Sequence, residues 1–383
     1  MLLAFMPILA SAIEVNKVFY SLDYSNNTAE VAGCDDELGS ATIPATITDK
    51  DGYTYTVTSI GDNAFSEHFF IRSVELPNTI ISIGKSAFYK IKNFTYINIP
   101  NSVKSIGDKA FMDCAKLSTV DVGRNSTLTS IGSNAFNGCS SLRSFYIPNS
   151  VESIGAGAFR YCSAISSINI PTSLKSIETC AFSGTAIQSA TIPSSVTKIG
   201  SYAFGRCTSL TTVTIPNSVT TIEGEAFSGC TSLASVSIPN SVTSIEYNTF
   251  YGCTSLTSVT IGDGVTSIGK SAFENCTSLA SLTIGSSVAS IGEKAFYKCS
   301  ALHSLTIPNS VTTLGESAFD GCSGLASVTI PKSVTTIRCY VFLGCTGELT
   351  VNCNIPSVYS SSEGKFYGSK FSSVKIGDDV ETV

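Results

Sequence analysis

Fourteen cysteines and two histidines are the side chains that could carry nucleophilic or metal chemistry in this 383-residue chain. Ten of the cysteines recur at an interval, each three residues after a phenylalanine: Cys114, Cys139, Cys162, Cys207, Cys230, Cys253, Cys276, Cys299, Cys322 and Cys345. If that row stacks at strand spacing, equivalent residues lie about 4.8 Å apart with parallel Cβ vectors. A disulfide wants Cβ atoms near ~3.8 Å and a right-angle torsion, and a tetrahedral ion wants ligands that surround it. A collinear row suits neither, so it reads as a buried thiol ladder of small apolar side chains. Cys34, Cys180, Cys339 and Cys353 fall outside the register. Near the C-terminal end, Cys345–Cys353 and Cys339–Cys353 are both open as pairings, whereas Cys34 and Cys180 stand alone. His68 and His303 are too far apart in a stacked chain to share a site, so a histidine-based triad would have only one of them. Asp49-Lys50-Asp51-Gly52 begins like a calcium loop, but Ile60 stands where the bidentate glutamate is needed. Gly262-Asp263-Gly264 lacks the Lys-Ser/Thr pair of a phosphate loop. No catalytic residue, cofactor or metal site is expected, and the chain does not read as an enzyme.

The elements that position these residues follow from the phenylalanines. Phe65, Phe88, Phe111, Phe136, Phe159, Phe182, Phe204, Phe227, Phe250, Phe273, Phe296, Phe319 and Phe342 are separated by 23 residues in ten steps, by 25 before Phe136 and by 22 before Phe204. Such self-similarity marks a stacked array in which no unit buries its apolar face alone. In one unit, Val213 and Ile215 alternate with Thr212 and Thr214, the period of a strand with one buried face. Pro216 removes a backbone donor and ends the ladder. Ser218 to Ile222 is a second short extended piece that sends Val219 and Ile222 inward. Ala226-Phe227-Ser228-Gly229-Cys230 makes a compact turn, and Leu233 opens the next strand. Thirteen rungs at strand spacing give a rod or arc of roughly 60 Å.

Apolar residues make up 43% and charged residues only 14%, which supplies a core and argues against disorder. The net charge of −6 lacks the basic stripe of a nucleic-acid binder. Leu2 to Leu9 is a short apolar run followed by Ala10-Ser11-Ala12, the small-x-small form of an export cleavage site, although a positive n-region is missing. The alternative for this stretch is a buried N-terminal strand. No segment is apolar for the roughly 20 residues that an integral membrane helix takes. Residues 1–12 are therefore assigned to a signal peptide. Residues 13–56 form an N-terminal β cap, with a hairpin of Val18–Leu22 and Thr28–Ala32 about a turn at residues 23–27. Residues 57–347 are the repeat array, and 348–383 a divergent C-terminal repeat or cap around Phe366.

The order Leu-x-x-Val-x-Ile, then Val-x-x-Ile and Ala-Phe, resembles leucine-rich repeats. The variant Ile215-Pro216-Asn217-Ser218-Val219 with Ala226-Phe227-Ser228-Gly229-Cys230 is similar to the BspA-like subclass, over about residues 57 to 356. The expected fold is a leucine-rich-repeat solenoid, a β-rich, curved right-handed array of about 13 coils of period 23 with short β caps. The resemblance implies a secreted or cell-surface protein of host-associated bacteria or protist parasites, with adhesion to host matrix proteins or other cells as a role of several members.

Outward strand positions in the later coils form a monotonous hydroxyl sheet: Thr212 and Thr214, Ser235 and Ser237, Ser258 and Thr260, Ser281 and Thr283, Ser304 and Thr306, Ser327 and Thr329. Early coils place Glu75, Tyr96, Asn98, Asp121, Tyr146 and Asn169 there instead. Tyrosines give contact area at low entropy cost, and acids and amides give direction. These six residues are the candidate binding set. The alternative is drift near a cap. The reading is an adhesin or protein-interaction scaffold binding a host or neighbouring-cell protein. A carbohydrate-binding module on the same hydroxyl-rich face, with a glycan as partner, is the alternative. An ice-binding threonine array and an enzyme rank below both.

Overall fold

The computed structural model describes residues 12–354, 366, 368–377 and 380. The expected signal peptide therefore lies outside the described residues, except for Ala12, which opens the first strand. Part of the C-terminal segment lies outside them as well. The chain divides into two compact units, Met1–Leu174 and Lys175–Val383. The fold is a β-solenoid of about 13 turns, with no helix among the described residues.

The first unit begins with β1 (Ala12–Val15), β2 (Val18–Asp23) and β3 (Thr28–Cys34), an antiparallel ladder. The β2–β3 turn is closed by Asp23, whose carboxylate accepts hydrogen bonds from the Ser25 hydroxyl and the Asn26 amide. Those bonds hold its pKa down at about 2. After β4 (Ser40–Thr42) and β5 (Thr46–Thr48), β6 (Thr54–Ile60) pairs antiparallel with β5 and parallel with β3. Asp49 shapes the β5–β6 turn: its carboxylate accepts from the backbone of Asp51 and Tyr53 and from the Tyr55 hydroxyl. The carboxylate with calcium-loop spacing is thus occupied as a turn former.

From β6 onward each coil contributes two short strands. The outward-facing series is β7 (Ser73–Glu75), β9 (Tyr96–Ile99), β11 (Thr119–Val122), β13 (Ser144–Phe145) and β15 (Ser167–Ile168). The companion series is β8 (Ser82–Ile83), β10 (Ser105–Ile106), β12 (Ser130–Ile131) and β14 (Ser153–Ile154), which extends β6 as a parallel ladder with isoleucine opposite isoleucine. The second unit repeats the plan, for instance in the parallel run Ser189–Thr191, Thr212–Thr214, Ser235–Ile238, Ser258–Ile261 and Ser281–Thr283.

Phenylalanine fills the core. In the first unit Phe65, Phe88, Phe111, Phe136 and Phe159 are fully buried, and the 88–111 pair stacks at 4.9 Å with planes 3° apart. In the second, the Phe204–Phe227 and Phe227–Phe250 centroids lie 5.4 and 5.3 Å apart. Near-parallel rings at coil spacing are the offset arrangement that aromatic quadrupoles favour. Val219 and Ile222 point inward as expected, and the Ala-Phe-x-x-Cys segment is a hydrogen-bonded turn, with the Cys230 amide on the Phe227 carbonyl. Val213 and Ile215, expected to be buried, are only half-buried. The rung beside Val213 is Ala190, which covers less of it than a valine would.

The two irregular coils absorb their length change at turns. The 25-residue coil places its extra residues before Leu128, where the Thr127 hydroxyl donates to the Asn101 carbonyl and the Ser126 hydroxyl accepts from the Leu128 amide. The 22-residue coil shortens the turn after Phe182. Thr185 replaces the repeat cysteine there, and its hydroxyl donates to the Phe182 carbonyl at 2.8 Å.

Candidate binding face

The strand face of the first unit is built by alternation. In β9 Ile97 and Ile99 are buried while Tyr96 and Asn98 point out, and in β11 Val120 and Val122 are buried while Thr119 and Asp121 point out. The β9–β11 register puts Tyr96 beside Thr119 and Asn98 beside Asp121, so an amide and a carboxylate share one column on neighbouring rungs. Tyr96 is 48% exposed and Tyr146 45%, which leaves both rings open to a partner. Glu75 stands in the same column opposite Thr42 and accepts that residue's hydroxyl hydrogen bond at 3.1 Å. Asn169 differs. Its amide donates to the Ile147 carbonyl at 2.6 Å and accepts from the Ile147 amide at 2.9 Å. These bonds continue the β13–β15 ladder where strand pairing stops. Asn169 therefore shapes the face and has less capacity left for a ligand.

Two exposed aromatics escaped the sequence reading. Phe69 and Phe70 are 53% and 61% exposed, two and one residues before Ile71, where later coils carry polar pairs such as Thr208-Ser209. They lead into β7 at the edge of the face, and the Lys92 ammonium sits 4.8 Å from the Phe69 ring. Their signal was available as a break in the repeat pattern at those two positions.

The groups with reactive potential are held inert. All ten ladder cysteines, Cys345 among them, carry free thiols, as does Cys339 outside the register. Each ladder thiol donates to the carbonyl of the phenylalanine one coil earlier, as in Cys114 to Phe88 at 2.9 Å and Cys230 to Phe204 at 3.2 Å. Burial pushes the Cys230 thiol well above its ordinary range, and the adjacent Cys253 and Cys207 push it the same way. Cys114 and Cys253 are raised to about 12 by the same desolvation. A thiol that keeps its proton is a poor nucleophile and a poor ligand. His68 lies in the first unit, 3.8 Å from Asp36, with its pKa lowered by burial. His303 lies in the second, with Nδ1 3.2 Å from the Gly324 carbonyl. Among the described residues, no three His, Cys, Asp or Glu side chains converge as ligands of an ion would.

What remains in each unit is a set of coils presenting a strand face, and the similarity to known proteins identifies the repeat. The family model of the BspA type leucine rich repeat region matches residues 58–188, 129–257, 175–300 and 266–383. The chain belongs to the BspA-type leucine-rich-repeat family. A leucine-rich repeat protein from Bacteroides ovatus is 32% identical over 95% of this chain and 90% of its own, with a TM-score of 0.78. A leucine rich cell surface protein from Faecalibacterium prausnitzii is 30% identical over 95% and 94%, with a TM-score of 0.61. The pneumococcal vaccine antigen PcpA, at 22% identity over 97% and 99% with a TM-score of 0.58, shares the fold. No curated protein matches the sequence. Among the described residues, no helix of this BspA-type chain is long and apolar enough to cross a membrane.

Proposed function

We propose that this chain is a secreted or cell-surface adhesin, a non-enzymatic scaffold that holds a protein partner on the strand face of its first unit. The observation that carries this is the contrast between the two units. The first presents Tyr96 and Tyr146 beside Asn98, Asp121 and Glu75, with Phe69 and Phe70 at the edge. The outward strand positions of the second are serine and threonine in the runs through Thr329. Interface energy concentrates in a few buried anchors, usually aromatic, and a hydroxyl sheet offers none. A location outside the cell is supported by the small-x-small site at Ala10-Ser11-Ala12 and by the surface location given for the similar Faecalibacterium prausnitzii protein.

The test begins with protein and glycan arrays probed with the full chain. For the protein partner captured, Tyr96→Ala combined with Tyr146→Ala is expected to weaken binding by more than about 2 kcal/mol. Thr260→Ala with Thr283→Ala, on exposed rungs of the second unit, is expected to change little. Circular dichroism checks that both variants stay folded. A neutral tyrosine pair together with a damaging threonine pair would move the site to the later coils and refute the proposal.

A further inference from the structure

The turn side of the second unit holds a depression of about 420 Å³ that the strand face does not touch. Its volume falls within the ~300–1,000 Å³ typical of small-molecule sites. Tyr202 and Tyr251 wall it, and Gly229 and Gly252 form part of its lining. In the preceding coil the position of these two glycines is held by Arg206, so two successive side chains are missing and the gap opens between coils. The Tyr202 ring is laid down against the backbone: a Cβ on Gly205 would lie 2.5 Å from its Cδ1. Tyr247, 49% exposed and two coils on from Tyr202, lies instead on Gly224 of the coil before its own.

Tyr202, Arg206, Glu225 and Asn248 all have left-handed backbone, with φ of 54, 60, 64 and 52°. Every coil of the second unit repeats that turn, so the conformation belongs to the fold; the choice of side chains belongs to the site. Arg206 supplies donors, Glu225 acceptors, and Asn248 both. Neither Arg206 nor Glu225 forms an ion pair with a described residue. One cation beside one anion disfavours an anionic ligand through Glu225 and a cationic ligand through Arg206. A neutral molecule carrying many hydroxyls satisfies both, because a hydroxyl donates to the carboxylate and accepts from the guanidinium. Aromatic walls suit the C–H faces of a sugar ring. A peptide anchor would want a floor of aliphatic side chains, and none lines this depression.

We propose that this depression binds a neutral saccharide, with a ring against Tyr202 and Tyr251 and its hydroxyls on Arg206, Glu225 and Asn248. Occupancy here is independent of what the strand face holds. The experiment titrates the full chain with neutral tetrasaccharides of glucose, mannose, galactose and N-acetylglucosamine, followed by ligand-observed NMR. At least one is expected to bind with Kd below about 1 mM. Tyr202→Asn with Tyr251→Ser is expected to weaken it about tenfold or more. Asn248, two coils on from Tyr202, and Ser228, one coil before Tyr251, already occupy the equivalent positions, so these replacements fit the turn. Tyr96→Ala with Tyr146→Ala is expected to leave sugar binding unchanged, which separates this site from the strand face. Absence of binding by every sugar at about 10 mM would overturn the assignment. So would binding indifferent to the Tyr202 and Tyr251 replacements. Capture of random heptapeptides that is lost in the same double variant, with no sugar bound, would reassign the site to peptides and overturn it too.

Discussion

At the scale of a residue, the molecule depends on groups that cannot be removed without leaving a hole. Phe227 is fully buried between Phe204 and Phe250. The coils on either side are tied to each other by backbone hydrogen bonds, such as Phe204 to Ala226 and Phe227 to Thr249, so they cannot close over a gap. Phe227→Ala is expected to cost about 3–5 kcal/mol, read as a fall in the urea midpoint. An unchanged midpoint would mean that the ring contributes nothing to the core. This ladder was legible in the sequence because a fixed period forces equivalent residues to the same face. Asn169 was not legible in that way. Its amide is taken up by Ile147 because the β13–β15 ladder stops one rung short, and where a ladder stops depends on both coils at once. Phe69 and Phe70 were missed for a related reason: attention to the periodic columns passes over an aromatic pair in a connecting segment.

At the scale of an element, side-chain hydrogen bonds add a second set of ties to the strand ladders. The Ser218, Ser310 and Ser333 hydroxyls each donate to a valine carbonyl one coil back, at 2.8, 2.7 and 2.7 Å. Much of the serine and threonine content therefore serves the stack. The cysteine column was expected to be only apolar filler; its thiols also donate, so each one both fills the turn and satisfies a phenylalanine carbonyl. Its chemistry sets a pH dependence. An unfolded cysteine loses its proton near pH ~8.5. Burial raises the folded value, to about 11 at Cys207 and about 12 at Cys114 and Cys253. Above the unfolded value the unfolded chain binds fewer protons than the folded one, so stability falls as pH rises through that window. Each such thiol contributes up to about 1.4 kcal/mol per pH unit. Urea midpoints measured anaerobically from about pH 7.5 to about pH 10 are expected to drop, and less steeply in a Cys230→Ala, Cys253→Ala, Cys276→Ala variant. Identical slopes would show that these thiols titrate alike in both states. Native protein is also expected to resist alkylation at the ladder and to yield all ten of those thiols once denatured. Peptides joining Cys230 to Cys253 in high yield would contradict the stacked geometry.

At the scale of the whole molecule, a repeat protein is specified by register more than by any one sequence. Stability in such chains is close to a sum of coil terms and nearest-neighbour interfaces. Removing one complete coil should then restore every contact type, provided the excision matches the period. Deleting Leu256 to Ser278 joins Ser255 to Leu279, so that Cys253-Thr254-Ser255 again precedes a strand-opening leucine. Phe250 then meets Phe296, Cys253 meets Cys299, and the hydroxyl columns continue unbroken. The expected loss is about 1–3 kcal/mol, the share of total stability that a segment of this length carries. Deleting Leu256 to Asn275 instead joins Ser255 to Cys276 and puts a cysteine where leucine should open the strand. At that junction every ladder meets its neighbour three residues out of step, with buried columns facing exposed ones, while the coils beyond it keep register with one another. That variant is expected to lose cooperative unfolding and hydrogen-exchange protection in Lys175–Val383, whereas the in-register deletion keeps both. If the two deletions behaved alike, the period visible in the phenylalanines would not be what holds the coils together. Because Tyr96, Tyr146, Asn98 and Asp121 all lie in Met1–Leu174, the in-register deletion is also expected to leave protein capture by the strand face intact.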